Sequence, residues 1–312
     1  MLGPQDVGYR VVVRRIIGIR DNRPYYSDAL GELVDVDSTG LTVATRHGPV
    51  RIEHNAIQAA KRVPARAADV VTIERLANAA WPAAEVEMLG SWLLRATGGW
   101  TGRANSALPI GRPGLPRDAA IDAVTSWYAA RGLPARINVP LPLTAPLDAA
   151  LDARGWTRST PSLVLIAPLA TILAATPPQP DLPAVRLDRT PDAAWLARVA
   201  GHKGALPPAA QHVLTAPAAV RFATVDGDLA VGRGAVVDGF LHVGLLEVAA
   251  EARRRGLARH LTRALAEWAA EERAGTAFLQ VEADNSAAIA LYTSLGFTHH
   301  HTYVTRTAPA TA

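Results

Sequence analysis

The chain has 312 residues, 49% apolar and 19% charged, with a formal net charge of +4 and no cysteine. That balance excludes a disordered chain, and the missing thiols exclude disulfides, thiolate metal sites and a cysteine nucleophile. The length exceeds what one core usually serves, so two or three domains are expected.

The basic excess is almost all arginine, Lys61 and Lys203 being the only lysines, and by itself it says little about an anionic partner. The opening MLGPQDVGYR has no apolar stretch of signal-peptide type. The most apolar run, 163–175, contains Pro168 and is shorter than the ~20 residues of a spanning helix. No membrane partner and a cytoplasmic location are expected.

In chain order, residues 1–63 read as short strands at 9–17, 31–36, 41–45 and 50–53. They are parted by Asp37-Ser38-Thr39-Gly40 and His47-Gly48-Pro49. Closure would remove exposed edges, so a small β-barrel similar to the Src-homology-3 barrel is expected. Arg10, Arg14, Arg15, Arg51, Lys61 and Arg62 could face nucleic acid or an acidic partner. Without interleaved aromatics for base stacking, a solvated strand face is the simpler reading.

Residues 64–69 are a linker candidate, and 70–170 form an α/β stretch. It comprises helix 70–80, strands 92–96 and 104–110, helix 117–131, strand 136–139, helix 147–154 and strand 162–167. Ala120, Val124, Trp127 and Tyr128 give helix 117–131 its apolar face. The proline-rich TPPQPDLP at 176–183 is a stiff linker. The pattern then restarts with strand 184–187, helices 191–200 and 208–215, and strands 220–225, 229–237 and 239–248. Asp226-Gly227-Asp228 and Asp238-Gly239 are the turns between those strands. Helix 255–272, strand 277–282, helix 286–295 and strand 297–305 follow. Both stretches end as long helix, strand, short helix, Gly-aromatic, strand. Gly155-Trp156 aligns with Gly296-Phe297, and an internal duplication is the economical account.

The chemistry centres on residues 251–270, where Arg253-Arg254-Arg255-Gly256-Leu257-Ala258 lies between a strand and a helix. A helix start leaves backbone amides unpaired, and its dipole attracts anions. Gly256 and Ala258 keep side chains off that backbone. The Lys-Ser/Thr pair of a triphosphate loop is missing, so the turn suits a diphosphate bound without metal. Taken alone, a merely basic helix start reads equally well. Upstream stands Leu246-Glu247-Val248. Downstream, LQVEADNSAAIALYTSLGF carries Asn285, Tyr292 and Gly296-Phe297. On these residues the chain is identified as a member of the GNAT superfamily of acyl-CoA-dependent N-acetyltransferases. The strand end resembles its Leu-x-Val, residues 253–258 its [Arg/Gln]-x-x-Gly-x-[Gly/Ala] turn, and Asn285 with Tyr292 its second signature.

The strong resemblance covers 184–307. It implies an α/β (α+β) mixed sheet in which a catalytic GNAT domain, 184–307, follows a degenerate GNAT-like half, 70–170, and the barrel, 1–63. The tandem halves are similar to mycothiol synthase, and the whole layout to mycobacterial-type acetyltransferases. The resemblance implies acetyl-CoA as co-substrate, with no metal, where the strands ending at Val248 and Glu282 splay apart. Its pantetheine arm would pair with backbone at Leu246 and Val248. The amides of Arg254, Arg255, Gly256, Leu257, Ala258 and Arg259, beside Arg253, would hold the diphosphate. The amine would attack the thioester directly, with the Val248 N–H stabilising the oxyanion and Tyr292 protonating the leaving thiolate. Tyr292 could otherwise be a core aromatic. Asn285 would bind the cofactor arm, cap its helix, or do both.

Glu247 is the candidate base, with Glu282, His242 or a water chain as rivals. Gln280 stands where ribosomal-protein alanine acetyltransferases carry Glu, which puts that acceptor class in doubt. His299-His300-His301 alternate faces on a strand and are expected at the surface rather than on one ion. In the middle half, Gly111-Arg112-Pro113-Gly114-Leu115-Pro116 lacks amide hydrogens at Pro113 and Pro116. That half is expected to shape the acceptor cleft or to pack as a pseudo-dimer within a monomer. The acceptor is an amine of a small molecule, peptide or protein. The alternative is a nucleic-acid- or protein-binding module whose GNAT domain is inert or senses acyl-CoA.

Overall fold

Val11 and Val13 are fully buried and alternate with outward residues along the first strand, the period-two pattern of a one-faced sheet. The structure, a computed structural model, describes residues 2–21, 23–204, 206–225 and 228–310. The expected turn at Asp226-Gly227 lies outside the described residues. The chain divides into two compact units, Met1–Arg66 with Thr298–His300, and Ala67–Phe297 with His301–Ala312.

The first unit holds β1 (Arg10–Arg20), β2 (Arg23–Val36), β3 (Gly40–Thr45), β4 (Gly48–Glu53) and β5 (Ile57–Arg62). They form an antiparallel sheet ordered β4-β3-β2-β1-β5 over Val11, Val13, Leu33, Leu41, Val43 and Ile52. No ladder joins β4 to β5 among the described residues, so the sheet is open and not the expected closed barrel. Its edges are blunted instead. Both edge strands have six residues, β4 carrying Pro49 and Arg51 and β5 Lys61 and Arg62. β5 lies outside the four strand ranges read from the sequence, because only half-buried Ile57 and Ala60 mark an inward face. Three of the basic residues are internally paired: Arg14 with Asp28 at 2.9 Å, Arg51 with Asp37 at 2.6 Å and Arg62 with Asp6 at 2.5 Å.

The second unit begins with α1 (Ala67–Ala80), β6 (Glu85–Leu89) and β7 (Trp92–Ala96). Next come α2 (Arg117–Ala129), β8 (Arg136–Leu141), α3 (Ala145–Ala153), β9 (Thr157–Arg158), β10 (Ser162–Pro168) and α4 (Leu169–Ala175). The chain continues through β11 (Val185–Asp188), α5 (Ala193–Lys203), α6 (Pro208–Thr215), β12 (Ala219–Val225), β13 (Ala230–Val237) and β14 (Phe240–Val248). It ends with α7 (Leu257–Glu271), β15 (Thr276–Glu282), α8 (Ser286–Ser294) and β16 (Thr298–Thr307). The expected strand 104–110 is instead a 3₁₀ turn, Arg103–Asn105, followed by isolated bridges Leu93–Leu108 and Ala107–Ile137. The reason is local. Asn105 turns its side chain onto the preceding loop, so its backbone leaves the ladder.

One sheet runs β11-β12-β13-β14-β15-β10-β16-β8, with β9 paired to β16. β10 lies antiparallel to β15 from Ser162↔Glu282 to Pro168↔Thr276, and β16 antiparallel to β8 from Thr302↔Leu141 to Thr307↔Arg136. The last strand of each α/β stretch thus lies beside an inner strand of the other. The two short helices also end alike. Gly155 and Gly296 take φ +72° and +87°, and the amides of Trp156 and Phe297 return to Leu151 and Tyr292, both at 3.0 Å.

α7 buries Leu257, Leu261, Leu265, Ala266 and Trp268 against β13 and β14. Gly234 permits that approach, since a Cβ there would lie 2.9 Å from Leu265 Cδ2. The opposite face of the sheet packs Phe222, Val231 and Phe278 against Ile73 of α1, Trp81 just after it, Trp195 of α5 and Val213 of α6.

Candidate active site

β14 and β15 run parallel but pair only over Phe240↔Thr276, Leu241↔Ala277 and His242↔Phe278. The cause of the parting lies in β14. Against β13 its register jumps from Gly244↔Arg233 to Glu247↔Val231, so Leu245 and Leu246 together oppose Gly232. Leu245 takes φ +52°, the left-handed conformation that a non-glycine residue rarely adopts. This β-bulge bends the strand just after the last parallel pair. Beyond the bulge, Ala249 N–H donates to Leu229 at 2.8 Å, which directs its backbone toward β13. Antiparallel strands alternate the direction of their amides, so Val248 and Leu246 aim theirs away from β13 toward the opened cleft.

After β14 the chain makes a 3₁₀ turn, Ala250–Ala252, and enters α7 with Gly256 as N-cap at φ +85° and ψ −4°. A Cβ at Gly256 would meet only Leu182 Cδ1, at 3.6 Å. The need for glycine here is therefore conformational rather than steric. Arg254 is also left-handed at φ +63°. His260 N–H reaches Gly256 O at 3.0 Å, the first bond of the helix. Among the described residues, the amides of Arg254 to Arg259 find no acceptor. Arg253, Arg254 and Arg255 are exposed around them, and Arg259 donates to Ser294 Oγ at 2.6 Å.

Asn285 is the N-cap of α8, its Oδ1 accepting from Ala288 N at 3.1 Å. Tyr292 is 8% exposed and meets Phe297 edge-on at 5.6 Å between ring centroids. Burial, then the negative charge of Glu247, pushes its phenol above the ordinary value of 10.0. The same interaction places Glu247 near Tyr292. Leu246, Val248 and Ile289 pack on one core cluster with Tyr292.

His242, a rival base, is buried at the last parallel pair. Its Nε2 lies 2.9 Å from Gln280 Oε1. Arg103 Nη1 donates to the same oxygen at 2.6 Å, and its Nη2 to the Tyr303 hydroxyl at 3.0 Å. An oxygen already accepting from arginine makes His242 Nε2 the protonated nitrogen, and leaves the buried Nδ1 without a partner. Burial, then the positive charges of Arg103 and Arg233, lowers the imidazole to about 3, against the bond to Gln280 that pulls upward. His242 is therefore neutral at physiological pH, too weak a base to hold the proton of an ammonium group.

Arg103 joins this group from the middle stretch, and its motif-free surroundings gave no signal in the sequence. His301 departs from expectation. It is buried, with Nε2 2.8 Å from Glu74 Oε1 on α1, and is not a surface residue. No cluster of metal-binding side chains occurs among the described residues, and no helix among them is long and apolar enough to cross a membrane.

Residues 67–305 match the family described as "Probable histone acetyltransferase Rv0428c C-terminal". The chain is 33% identical over 324 residues to the probable histone acetyltransferase Rv0428c of Mycobacterium tuberculosis, spanning 96% of this chain and 95% of that relative. It is 30% identical over 249 residues to the uncharacterized N-acetyltransferase YobR of Bacillus subtilis, spanning 75% of this chain and 98% of that one. A GCN5-related N-acetyltransferase from Kribbella flavida superposes with a TM-score of 0.59 at 16% identity, over 78% of this chain and 96% of that chain. At that identity the likeness speaks to fold alone.

Proposed function

Since the chain belongs to the Rv0428c C-terminal family and is a GNAT-type N-acetyltransferase, we propose that residues 184–307 move an acetyl group directly from acetyl-CoA to an amine at the cleft between β14 and β15. The observation that carries this reading is the bulge at Leu245. It ends the parallel ladder at His242↔Phe278 and leaves backbone groups of Leu246 and Val248 facing an opening.

The residues present fit the co-substrate. An extended amide-bearing arm can add to the open edge of β14 at Leu246 and Val248 as another strand would. The amides of Arg254 to Arg259, with Arg253 beside them, suit a diphosphate at the start of α7. Asn285 spends Oδ1 on its helix, which leaves its amide group for the arm. Acetyl-CoA supplies the thioester; the new bond joins the acceptor nitrogen to the acetyl carbon as the carbon–sulfur bond breaks. Val248 N–H stabilises the oxyanion. Tyr292, kept protonated by burial and by Glu247, is the acid for the departing thiolate. Glu247 takes the proton of the amine. No step is assigned to a metal ion.

The middle stretch is read as a degenerate GNAT half. Matching helix ends at Gly155 and Gly296 and the reciprocal placing of β10 and β16 support a duplication. Pro116 is the N-cap of α2, where Gly256 caps α7, so its helix start is poorer in donors. The domains proposed are 1–63, 70–170 and 184–307. The name of the mycobacterial relative offers a protein amine as one class of acceptor.

Thermal melting tests the cofactor reading. Acetyl-CoA at ~100 times its dissociation constant should stabilise the protein by about 2.7 kcal/mol. An unchanged melting curve at saturating acetyl-CoA would refute it.

A further inference from the structure

Around Trp81, on the sheet face away from α7, the polar groups do not balance. Arg233 is fully buried at the centre of β13, with its guanidinium carbon 5.0 Å from the Trp81 ring centroid. It donates only to backbone: Nε to Leu214 O at 2.9 Å, and Nη2 to Ala80 O at 3.1 Å and Val213 O at 3.4 Å. Its Nη1 is buried without a partner, as are Trp100 Nε1 and His242 Nδ1. Trp100 stacks on Trp81 at 5.6 Å, and His242 meets Trp81 edge-on at 6.2 Å. Two orphaned donors, Arg233 Nη1 and Trp100 Nε1, and one orphaned acceptor, His242 Nδ1, thus belong to the immediate neighbours of one tryptophan. Buried polar groups left unmatched are costly and call for a partner.

Arg103 completes the group. It is half-buried, touches Gln280 and Tyr303, and forms no ion pair with a carboxylate among the described residues. Two of its five N–H donors are used, which leaves three. Glu74, a buried carboxylate close enough to act on Arg95, is bonded to His301. The loop holding Arg103 is rigid. Asn105 accepts from Thr97 N at 2.8 Å and Gly99 N at 2.9 Å, and donates to Trp100 O at 2.7 Å and Thr101 O at 2.9 Å. This guanidinium is held in place before any acceptor arrives, beside the point where β14 and β15 part.

Position 280 sets the charge balance of this group. A glutamate there would pair with Arg103 and cancel its charge. Glutamine grips the guanidinium through its carbonyl oxygen and leaves the charge uncompensated. Arg103 and Arg233, which pair with no carboxylate among the described residues, favour an acceptor that brings negative charge, and repel a lysine-rich one.

We propose that the acceptor is an amine that also carries a carboxylate, and that Arg103, held by Gln280 and Tyr303, receives that carboxylate while the amine faces Glu247. The proposal rests on the acetyltransferase reading above and names the substrate class of the same site. Arg103 comes from the middle stretch, which gives that stretch a part in acceptor choice.

The test uses the full chain with acetyl-CoA and follows thiol release. β-Alanine, 4-aminobutyrate, 6-aminohexanoate, glutamate and short acidic peptides are each set against their own carboxamides, cadaverine and a lysine-rich peptide. Carboxylate-bearing amines should be preferred by about 10- to 100-fold in kcat/KM, the range of a charge-assisted hydrogen bond in a partly buried site. Arg103→Met should erase that preference, and Arg103→Lys restore part of it, while both keep the melting shift with acetyl-CoA. Gln280→Glu should turn the preference toward cadaverine. The CoA-bound protein gives a second readout: glutarate should change tryptophan fluorescence through Trp81 and Trp100, and should not in Arg103→Met. Preference for cadaverine or the lysine-rich peptide in the unaltered protein would overturn the proposal. So would neither turnover of a carboxylate amine nor a glutarate response. A missing melting shift with acetyl-CoA would instead strike the underlying acetyltransferase reading.

Discussion

Replacing Tyr292 by phenylalanine separates chemistry from packing. The ring is 8% exposed and lies against Phe297, so its burial is kept in Tyr292→Phe. Among the described residues the hydroxyl receives no hydrogen bond that would oppose the rise in its pKa; burial and Glu247 both act upward. Its removal therefore leaves no protein partner stranded, and stability should change by less than about 1 kcal/mol. The same pressures keep the phenol protonated throughout the neutral range, which suits a proton donor. Losing a positioned general acid should lower kcat by about 10²- to 10⁴-fold, or roughly 2.7–5.4 kcal/mol of barrier. The assay is thiol release at saturating acetyl-CoA, paired with the acetyl-CoA melting shift. Turnover should fall while the shift stays. Because the phenol's value lies above 10.0, its deprotonation should produce no alkaline limb in the kcat profile below about pH 10. Turnover within a few-fold of the parent, or equal loss of turnover and melting shift, would make Tyr292 a packing residue.

The remaining predictions touch other parts of the molecule. Gly256→Val forces a β-branched residue to φ +85° and should abolish the acetyl-CoA melting shift; Gly256→Ala should cost about 1 kcal/mol by urea denaturation and only weaken the shift. His242 is held near 3, against 6.5 unfolded, so the unfolded chain binds the extra proton and stability falls as pH drops below 6.5. Between pH 7.5 and 5.5 this amounts to about 1.4 kcal/mol, and His242→Asn should flatten that part of the urea profile; an unchanged slope would contradict a buried neutral imidazole. Glu74→Ala strands buried His301 and should cost about 1–3 kcal/mol in the same assay.

Much of the architecture was legible because it is local. The period of 3.6 exposed α7, and the prolines and glycines marked most breaks between elements. The turn at Gly256, the cap at Asn285 and the place of Tyr292 are spelled out at fixed spacing within single strand–helix junctions. What stayed hidden was tertiary. A bulge at Leu245 adds one residue to a strand without changing its composition, so LHVGLLEV reads as regular. Within the apolar run 163–175 the strand to residue 167 could be read, but the helix Leu169–Ala175 after Pro168 could not. His301 looked like a surface residue because its partner Glu74 stands 227 positions away. Arg103 and Gln280 meet across 177 positions, a distance at which spacing carries no signal.

The two α/β stretches also explain why one pattern could be read and its counterpart could not. A diphosphate turn needs donors at consecutive amides, so its chemistry constrains adjacent residues and survives as a motif. The loop at 97–106 needs only a fixed shape that presents one guanidinium, and Asn105 supplies that shape through four hydrogen bonds to its own neighbours. Many sequences could build such a loop, so none announces it. The residue that gives the loop its proposed role is likewise remote, Gln280 on β15. If acceptor preference follows the charge balance between Arg103 and position 280, then Gln280→Glu should redirect the enzyme without touching the cofactor turn. That separation is expected if the proposed donor turn at Gly256 and the proposed acceptor contact at Arg103 and Gln280 are built by different elements.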